Sequence, residues 1–263
     1  MIDLHCHMLP GLDDGPTDIA VSLEMARIAT ADGITICACT PHILPGLYDN
    51  NGPQILAAVS EFSRALCDAG IPLQVVAGAD VHAAPDLRTG LRSERVLTLN
   101  GSRYLLFEPP HHVLPPRFEE FTFGVIAEGY FPIITHPERL TWIDTHYDVL
   151  VRLIEAGALA QLTAGSLTGH FGKRARYWSE RMLDEGMAHI LATDAHDAHG
   201  RPPRLAEARD ISARRVGEVE AGNLVLARPQ CVIANVMPSG LPRNTPRENM
   251  PRPASRKWFP TFN

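Results

Sequence analysis

Short apolar runs alternate with longer amphipathic stretches along most of the chain. The runs at 2–6, 34–40, 73–79, 104–107, 131–135, 159–162 and 189–192 have the length and aliphatic character of buried strands. Between them, 17–32, 53–69, 116–129, 145–157 and 172–186 repeat apolar residues near helical spacing. Ile19, Leu23, Ala26 and Ile28 mark the first of these, and Ile55, Val59, Phe62 and Leu66 the second. Several end in Asp-Gly, Ala-Gly or Glu-Gly, where glycine suits a left-handed cap. Pro132 sits near the start of its run, where a strand tolerates it. Seven strand-then-helix units predict a parallel α/β fold. Periodicity alone does not separate an open sheet from a barrel. The polar residues that end the strands favour the barrel, because one mouth collects groups from every strand end, whereas an open sheet gathers them only at its switch point.

Length and composition narrow the picture. At 263 residues and 45% hydrophobic, the chain fits one large domain. A net charge of −6 argues against nucleic-acid binding through a broad basic surface. The N-terminus lacks a basic leader, and Asp3, His5 and His7 interrupt its apolar stretch. No run approaches the ~18 apolar residues of a membrane span, so no membrane insertion is expected. Five cysteines, an odd number placed mostly in apolar runs, predict reduced and largely buried thiols and a cytoplasmic location. Cys37-Ala38-Cys39 reads as strand core rather than as a metal pair. After Val236 the chain turns proline-rich and basic. The expected division is a domain at 1–236 and a flexible tail at 237–263, whose aromatic end, Trp258-Phe259-Pro260-Thr261-Phe262, is a candidate for docking on the body or a partner.

The candidate chemistry lies at the strand ends. His5 and His7 are spaced i, i+2, so they share one side of a strand. His42 follows the second run, Asp80 the third, Glu108 the fourth and His136 the fifth, while Asp194 and His196 follow the seventh. Converging carboxylates repel and buried imidazoles need partners unless cations neutralise them. A purely structural account treats each histidine as a satisfied core or surface group, and it suits His82, His111, His112, His146, His170, His189 and His199. It does not suit eight ligand-type groups at successive strand ends. Their mixed nitrogen and oxygen donors suit Mn²⁺, Fe or Zn²⁺, with the oxygen share favouring Mn²⁺. Eight donors are too many for one ion and fit two or three divalent metals. Closely spaced metals clamp a phosphoryl group and activate a bridging water as nucleophile. Arg139 and Arg201, close to His136 and His196, offer guanidinium forks for phosphate oxygens; the plainer reading is two surface arginines.

These residues resemble a known family. His5-Cys6-His7, Thr40-Pro41-His42, Glu108, His136 and Asp194-Ala195-His196 are similar to the polymerase and histidinol phosphatase (PHP) superfamily. Five further motifs resemble its manganese-dependent protein tyrosine phosphatases of the CpsB/YwqE type. They are Leu12-Asp13-Asp14-Gly15-Pro16, Leu99-Asn100-Gly101-Ser102-Arg103-Tyr104, His136-Pro137-Glu138-Arg139, Thr163-Ala164-Gly165-Ser166-Leu167, and Asp194-Ala195-His196-Asp197 leading to Gly200-Arg201-Pro202-Pro203. The resemblance runs from residue 1 to about 236. It implies a single-domain distorted (β/α)7 barrel with a trinuclear centre held by His5, His7, His42, Asp80, Glu108, His136, Asp194 and His196. It also implies Arg139 and Arg201 as substrate-binding and catalytic residues, with Asp14 and Asp197 shaping the site behind the ligands. A metal-bridging hydroxide is the implied nucleophile, and His42 is a candidate proton donor. The implied partner is a phosphotyrosine protein, a bacterial tyrosine autokinase of capsule or exopolysaccharide assembly. One departure stands out: the third-strand ligand is usually glutamate, and here it is the shorter Asp80. Two alternatives remain open. One is a phosphatase of histidinol phosphate or another small phosphoester. The other is a metal-binding regulatory module without turnover. Cys6, between the two histidines, is expected to face the core and to take no part.

Overall fold

The structure is a computed structural model that describes residues 1–247; Trp258–Phe262 lie outside the described residues. The strands are β1 (Ile2–Cys6), β2 (Ile36–Cys39), β3 (His42–Ile43), β4 (Gln74–Ala77), β5 (Asp80–His82), β6 (Tyr104–Glu108), β7 (Phe131–Thr135), β8 (Leu159–Thr163) and β9 (Ile190–Ala192). They form two parallel sheets, β1-β2-β4 and β3-β5-β6-β7-β8-β9. The sheets are continuous in space. β2 and β3 are halves of one strand line, as are β4 and β5, and hydrogen bonds from Gly78 N to Cys39 O and from Asp80 N to Pro41 O carry the pairing across both breaks. The ends meet where Cys6 pairs with Ala195, with bonds from His7 N to Ala195 O and from Asp194 N to His5 O. Seven strand lines therefore make a distorted (β/α)7 barrel.

The strands expected at 34–40 and 73–79 are present as β2 and β4, and each strand line then continues past a break into β3 or β5, which were not expected. Pro41 has no N–H to give the ladder. At Gly78 the neighbouring segment passes so close that a Cβ would lie 2.8 Å from Leu99 Cδ2 and 3.0 Å from Thr40 Cγ2.

Strand residues divide between two buried layers. Ile2, Leu4, Ala38, Leu106, Ile133, Ile190 and Ala192 fill the inner one. Cys6, Cys37, Cys39, Leu105, Phe107, Ile134 and Leu191 pack outward with the helices. In β1 the register slips between Asp3 and Cys6. Such a bulge places neighbouring residues on one face. Leu4 can thus fill the interior while His5 and His7 still turn into the mouth.

The helices are α1 (Ile19–Ala31), α2 (Gly52–Asp68), α3 (Leu87–Arg92), α4 (Phe118–Ala127), α5 (Ile143–Glu155), α6 (Ala164–Thr168), α7 (Gly172–Asp184), α8 (Ala206–Val216), α9 (Glu218–Gly222) and α10 (Arg228–Ile233). The five predicted from spacing are present within two residues at each end. α1 starts where Asp18 Oδ1 accepts from Ala20 N and Val21 N, satisfying two otherwise orphaned donors. The other five were not anticipated. α3, α6, α9 and α10 are five or six residues long, and α8 buries only Ala208 and Ser212, too little for an apolar stripe.

Residues 237–247, the first part of the segment expected as a tail, run along the body. Buried Arg228 pairs with Glu220 and donates to the carbonyls of Pro242 and Arg243, and Asn244 Nδ2 donates to Gly186 O. No helix among the described residues is long and apolar enough to cross a membrane. All five cysteines are free thiols. Cys6, Cys37 and Cys39 are buried as expected, whereas Cys67 is exposed and Cys231 half-buried.

Candidate metal centre

The barrel mouth gathers every strand-end residue singled out from sequence. His5, His7 and Asp80 are fully buried, and Glu108, His136, Asp194 and His196 nearly so. His5 Nε2 lies 3.1 Å from His7 Nε2, 3.3 Å from Asp80 Oδ2 and 3.4 Å from Asp194 Oδ1. His7 Nε2 lies 3.5 Å from the same Asp194 oxygen. His42 Nδ1 stands 3.5 Å from Asp80 Oδ2 and 3.4 Å from Glu108 Oε2. His136 Nε2 is 3.5 Å from Glu108 Oε1. The shorter arm of Asp80 therefore still reaches, with one oxygen facing both His5 and His42.

Backbone geometry contributes. Just past β7 and β9, His136 and Asp194 hold left-handed φ values of 34° and 51°. Non-glycine residues rarely adopt such angles, and they cluster where function demands them. Beneath the mouth, buried Asp3 accepts from Thr193 N and Oγ1 and from His5 N, tying β1 to the end of β9. Burial pushes its carboxyl up to about 6.

The imidazoles are oriented from behind. His7 Nδ1 faces Asp13 Oδ2 at 2.7 Å, and Asp13 also accepts from Gly15 N and His42 N. His5 Nδ1 faces Gln161 Oε1 at 2.8 Å. His196 Nδ1 lies 3.0 Å from Asp194 O. An acceptor at one ring nitrogen fixes the proton there and turns the other lone pair into the mouth, as metal-binding histidines require.

The donor set fits divalent cations. Atoms bound about 2.0–2.1 Å from one tetrahedral ion stand roughly 3.3–3.4 Å apart, longer than most hydrogen bonds. The separations of 3.3–3.5 Å quoted above for His5, His42 and His136 match such polyhedron edges. Both Asp80 oxygens and His42 Nδ1 are buried without a hydrogen-bond partner. Orphaned polar atoms of this kind need an explanation, and a cation among them is one. Burial opposes charge on Asp194, yet His5, His7 and Arg201 hold its carboxyl well below the usual range. Burial and the Arg139 charge push His136 far down, leaving the neutral imidazole that binds metal.

Three placements revise the sequence reading. Asp14, expected behind the ligands, points its Oδ1 into the mouth, 3.3 Å from His196 Nε2 and 3.6 Å from His42 Nε2, and groups with His7, His42 and His196 as a possible ligand. His82 and His111, expected to be ordinary, both meet Glu108: His82 Nε2 contacts Oε2, and His111 Nε2 lies 3.3 Å from Oε1. Asp197 stays behind the site, accepting from the amides of His199, Gly200 and Arg201 and so shaping the loop that carries Arg201.

The two arginines reach the centre rather than the open surface. Arg139 Nη1 contacts Asp194 Oδ2, and Arg201 Nη2 lies 2.6 Å from the same oxygen. Glu138 anchors the turn before Arg139 by accepting from Thr163 N and Ser166 Oγ. Phe171, which sequence reasoning missed, lies under both guanidinium groups, 4.3 Å from that of Arg139 and 5.5 Å from that of Arg201. Its seat depends on Gly165, where a Cβ would lie 2.8 Å from Phe171 Cε2.

A barrel mouth lined with imidazoles and carboxylates beneath two arginines is the site of a metal-dependent hydrolase. The family described as capsular polysaccharide synthesis, CpsB/CapC, matches residues 1–234, and the chain belongs to it. It is 36% identical over 217 residues to the tyrosine-protein phosphatase YwqE of Bacillus subtilis, covering 82% of this chain and 85% of that protein. Among solved structures it is similar to that of YwqE from B. subtilis and CpsB from Streptococcus pneumoniae, described as unique metal-dependent tyrosine phosphatases. The TM-score is 0.88 at 33% identity, covering 94% of this chain and 98% of the other. Histidinol phosphate phosphatase from Lactococcus lactis shares the fold alone, with a TM-score of 0.54 at 13% identity over 86% and 95% of the two chains.

Proposed function

We propose that this chain is a metal-dependent protein tyrosine phosphatase, with residues 1–236 as its catalytic unit. The observation that carries the reading is the division of Asp194, whose Oδ1 faces His5 and His7 and whose Oδ2 faces Arg139 and Arg201. A phosphate group bound there would meet the donor cluster and a pair of guanidinium forks together.

The ligands in this reading are His5, His7, His42, Asp80, Glu108, His136, Asp194 and His196, joined by Asp14. They would hold two or three divalent ions, Mn²⁺, Fe or Zn²⁺. Bound cations would supply Lewis acidity to the phosphoryl oxygens and make a nucleophile of water at neutral pH. Arg139 and Arg201 orient the phosphate and neutralise charge that grows on its equatorial oxygens. Phe171 keeps both guanidinium groups at the rim. A tyrosinate leaving group, with a pKa near ~10, needs less acid assistance than an alkoxide. The free thiols suit a reducing cytoplasm, and the substrate in this reading is a phosphorylated bacterial tyrosine autokinase.

The test compares phosphate release from a phosphotyrosine peptide, histidinol phosphate and a short oligonucleotide with added Mn²⁺. Preference for the phosphopeptide supports the proposal. Preference for histidinol phosphate overturns the substrate assignment. Phosphopeptide binding without hydrolysis, with any of several metals, overturns the enzyme assignment.

A further inference from the structure

We propose that His82 and His111 are additional ligands, so that the Glu108 carboxylate bridges two nitrogen-rich cation positions. One position is shared by His42 and His82, the other by His111 and His136. The inference rests on the metal-centre reading above and goes beyond its ligand set.

The geometry is paired. Glu108 Oε2 faces His42 Nδ1 and His82 Nε2, and Oε1 faces His111 Nε2 and His136 Nε2. Each oxygen thus has two imidazoles, and in each trio the donor atoms lie within 4.8 Å of one another. The separations of His42, His111 and His136 from Glu108, 3.4, 3.3 and 3.5 Å, are tetrahedron edges rather than good hydrogen bonds.

Both histidines are held in place. His82 is the register partner of Glu108 across the parallel β5–β6 ladder, so the two side chains stand side by side on one face. His111 is fixed through its backbone, since its carbonyl accepts from Thr141 N and Oγ1 while the neighbouring Pro110 carbonyl accepts from Trp142 Nε1. The His82 ring lies 5.4 Å from that of His42, and the His111 ring 5.0 Å from that of His136. A role confined to bonding Glu108 would not require each histidine to face a second imidazole across an open corner.

The His111/His136 position offers two nitrogens and one carboxylate oxygen, and the His42/His82 position two nitrogens with Glu108 Oε2 and, 3.5 Å from His42 Nδ1, Asp80 Oδ2. Such nitrogen-rich sets of three or four donors suit tetrahedral Zn²⁺ better than Mn²⁺, which prefers more oxygen ligands. The added histidines would therefore tune metal choice as well as affinity.

The test uses the full chain, stripped by chelator, as wild type, His82→Gln, His111→Gln and the double variant. Zn²⁺ and Mn²⁺ dissociation constants are measured by competition with a chromophoric chelator. Thermal unfolding is recorded for each protein, and the visible absorption of the Co²⁺-loaded wild type reports its coordination. The expected result is a loss of Zn²⁺ preference over Mn²⁺ of about tenfold or more in each variant, with intense tetrahedral Co²⁺ bands in the wild type. An unchanged preference in a double variant that melts like the wild type overturns the inference. Should the variants fail to fold, weak Co²⁺ bands of purely octahedral character in the wild type overturn it. A wild-type chain that takes up neither metal defeats the metal-centre reading itself and the inference with it.

Discussion

Asp194 Oδ2 lies 2.6 Å from Arg201 Nη2 while Oδ1 of the same carboxylate faces the His5 and His7 imidazoles. One residue therefore joins the phosphate-binding side of the mouth to its donor cluster. Lysine at 201 would keep the charge but lose the planar fork. Arg201→Lys is expected to lower kcat/KM for a phosphotyrosine peptide by about a hundredfold, with metal content by elemental analysis unchanged. Wild-type kinetics in this variant would remove Arg201 from the site.

Phe171 should act through the arginines it supports. A partly buried cation–π contact contributes on the order of 1–2 kcal/mol. Phe171→Leu is expected to raise KM roughly five- to tenfold while kcat changes little, and Phe171→Tyr should restore most of the loss. A fall in kcat alone would point to a different role.

Cys6 sits between two candidate ligands yet packs outward with Cys37 and Cys39. Its thiol is raised well above the ordinary range by a hydrogen bond to Cys37 and by burial, which makes it a poor nucleophile. Phosphatase activity in Cys6→Ser is expected within about threefold of wild type, allowing for a modest packing change. Abolished turnover with metal retained would overturn the mechanism.

Stability should depend on His189. Burial and the Arg228 charge lower its pKa to about 4, below the ordinary 6.5, while Nδ1 accepts from Ala160 N. The unfolded chain then binds the extra proton between these values, so stability rises with pH across that window and falls as pH drops from about 6.5 toward 4. The shift corresponds to a loss on the order of 3 kcal/mol at the acid end. The fall in Tm between pH 7.5 and pH 5 should be smaller in His189→Asn than in wild type. Equal falls would exclude His189 as a source of acid sensitivity.

Much of the candidate site was legible because ligand-type residues close the apolar runs, at the ends of β1, β6 and β9 for His5, Glu108 and Asp194 and just past the breaks after β2 and β4 for His42 and Asp80. What was illegible depends on neighbours distant in sequence. His82 meets Glu108 through sheet register, and His111 through a loop held against α5. Phe171 gains its role only where two remote arginines converge. The bulge in β1 breaks the alternation that periodicity assumes. Of the helices, α8 carries too many charges for a readable stripe and is held largely by its packing against α6, α7 and α9.

Whether this centre hydrolyses phosphotyrosine through bound metal is decided by phosphate release from a phosphotyrosine peptide by chelator-stripped protein, before and after divalent metal is restored. Turnover is expected to disappear on stripping, to return with metal, and not to return in Asp194→Asn. Undiminished turnover by protein shown by elemental analysis to be metal-free would contradict that role for the metal.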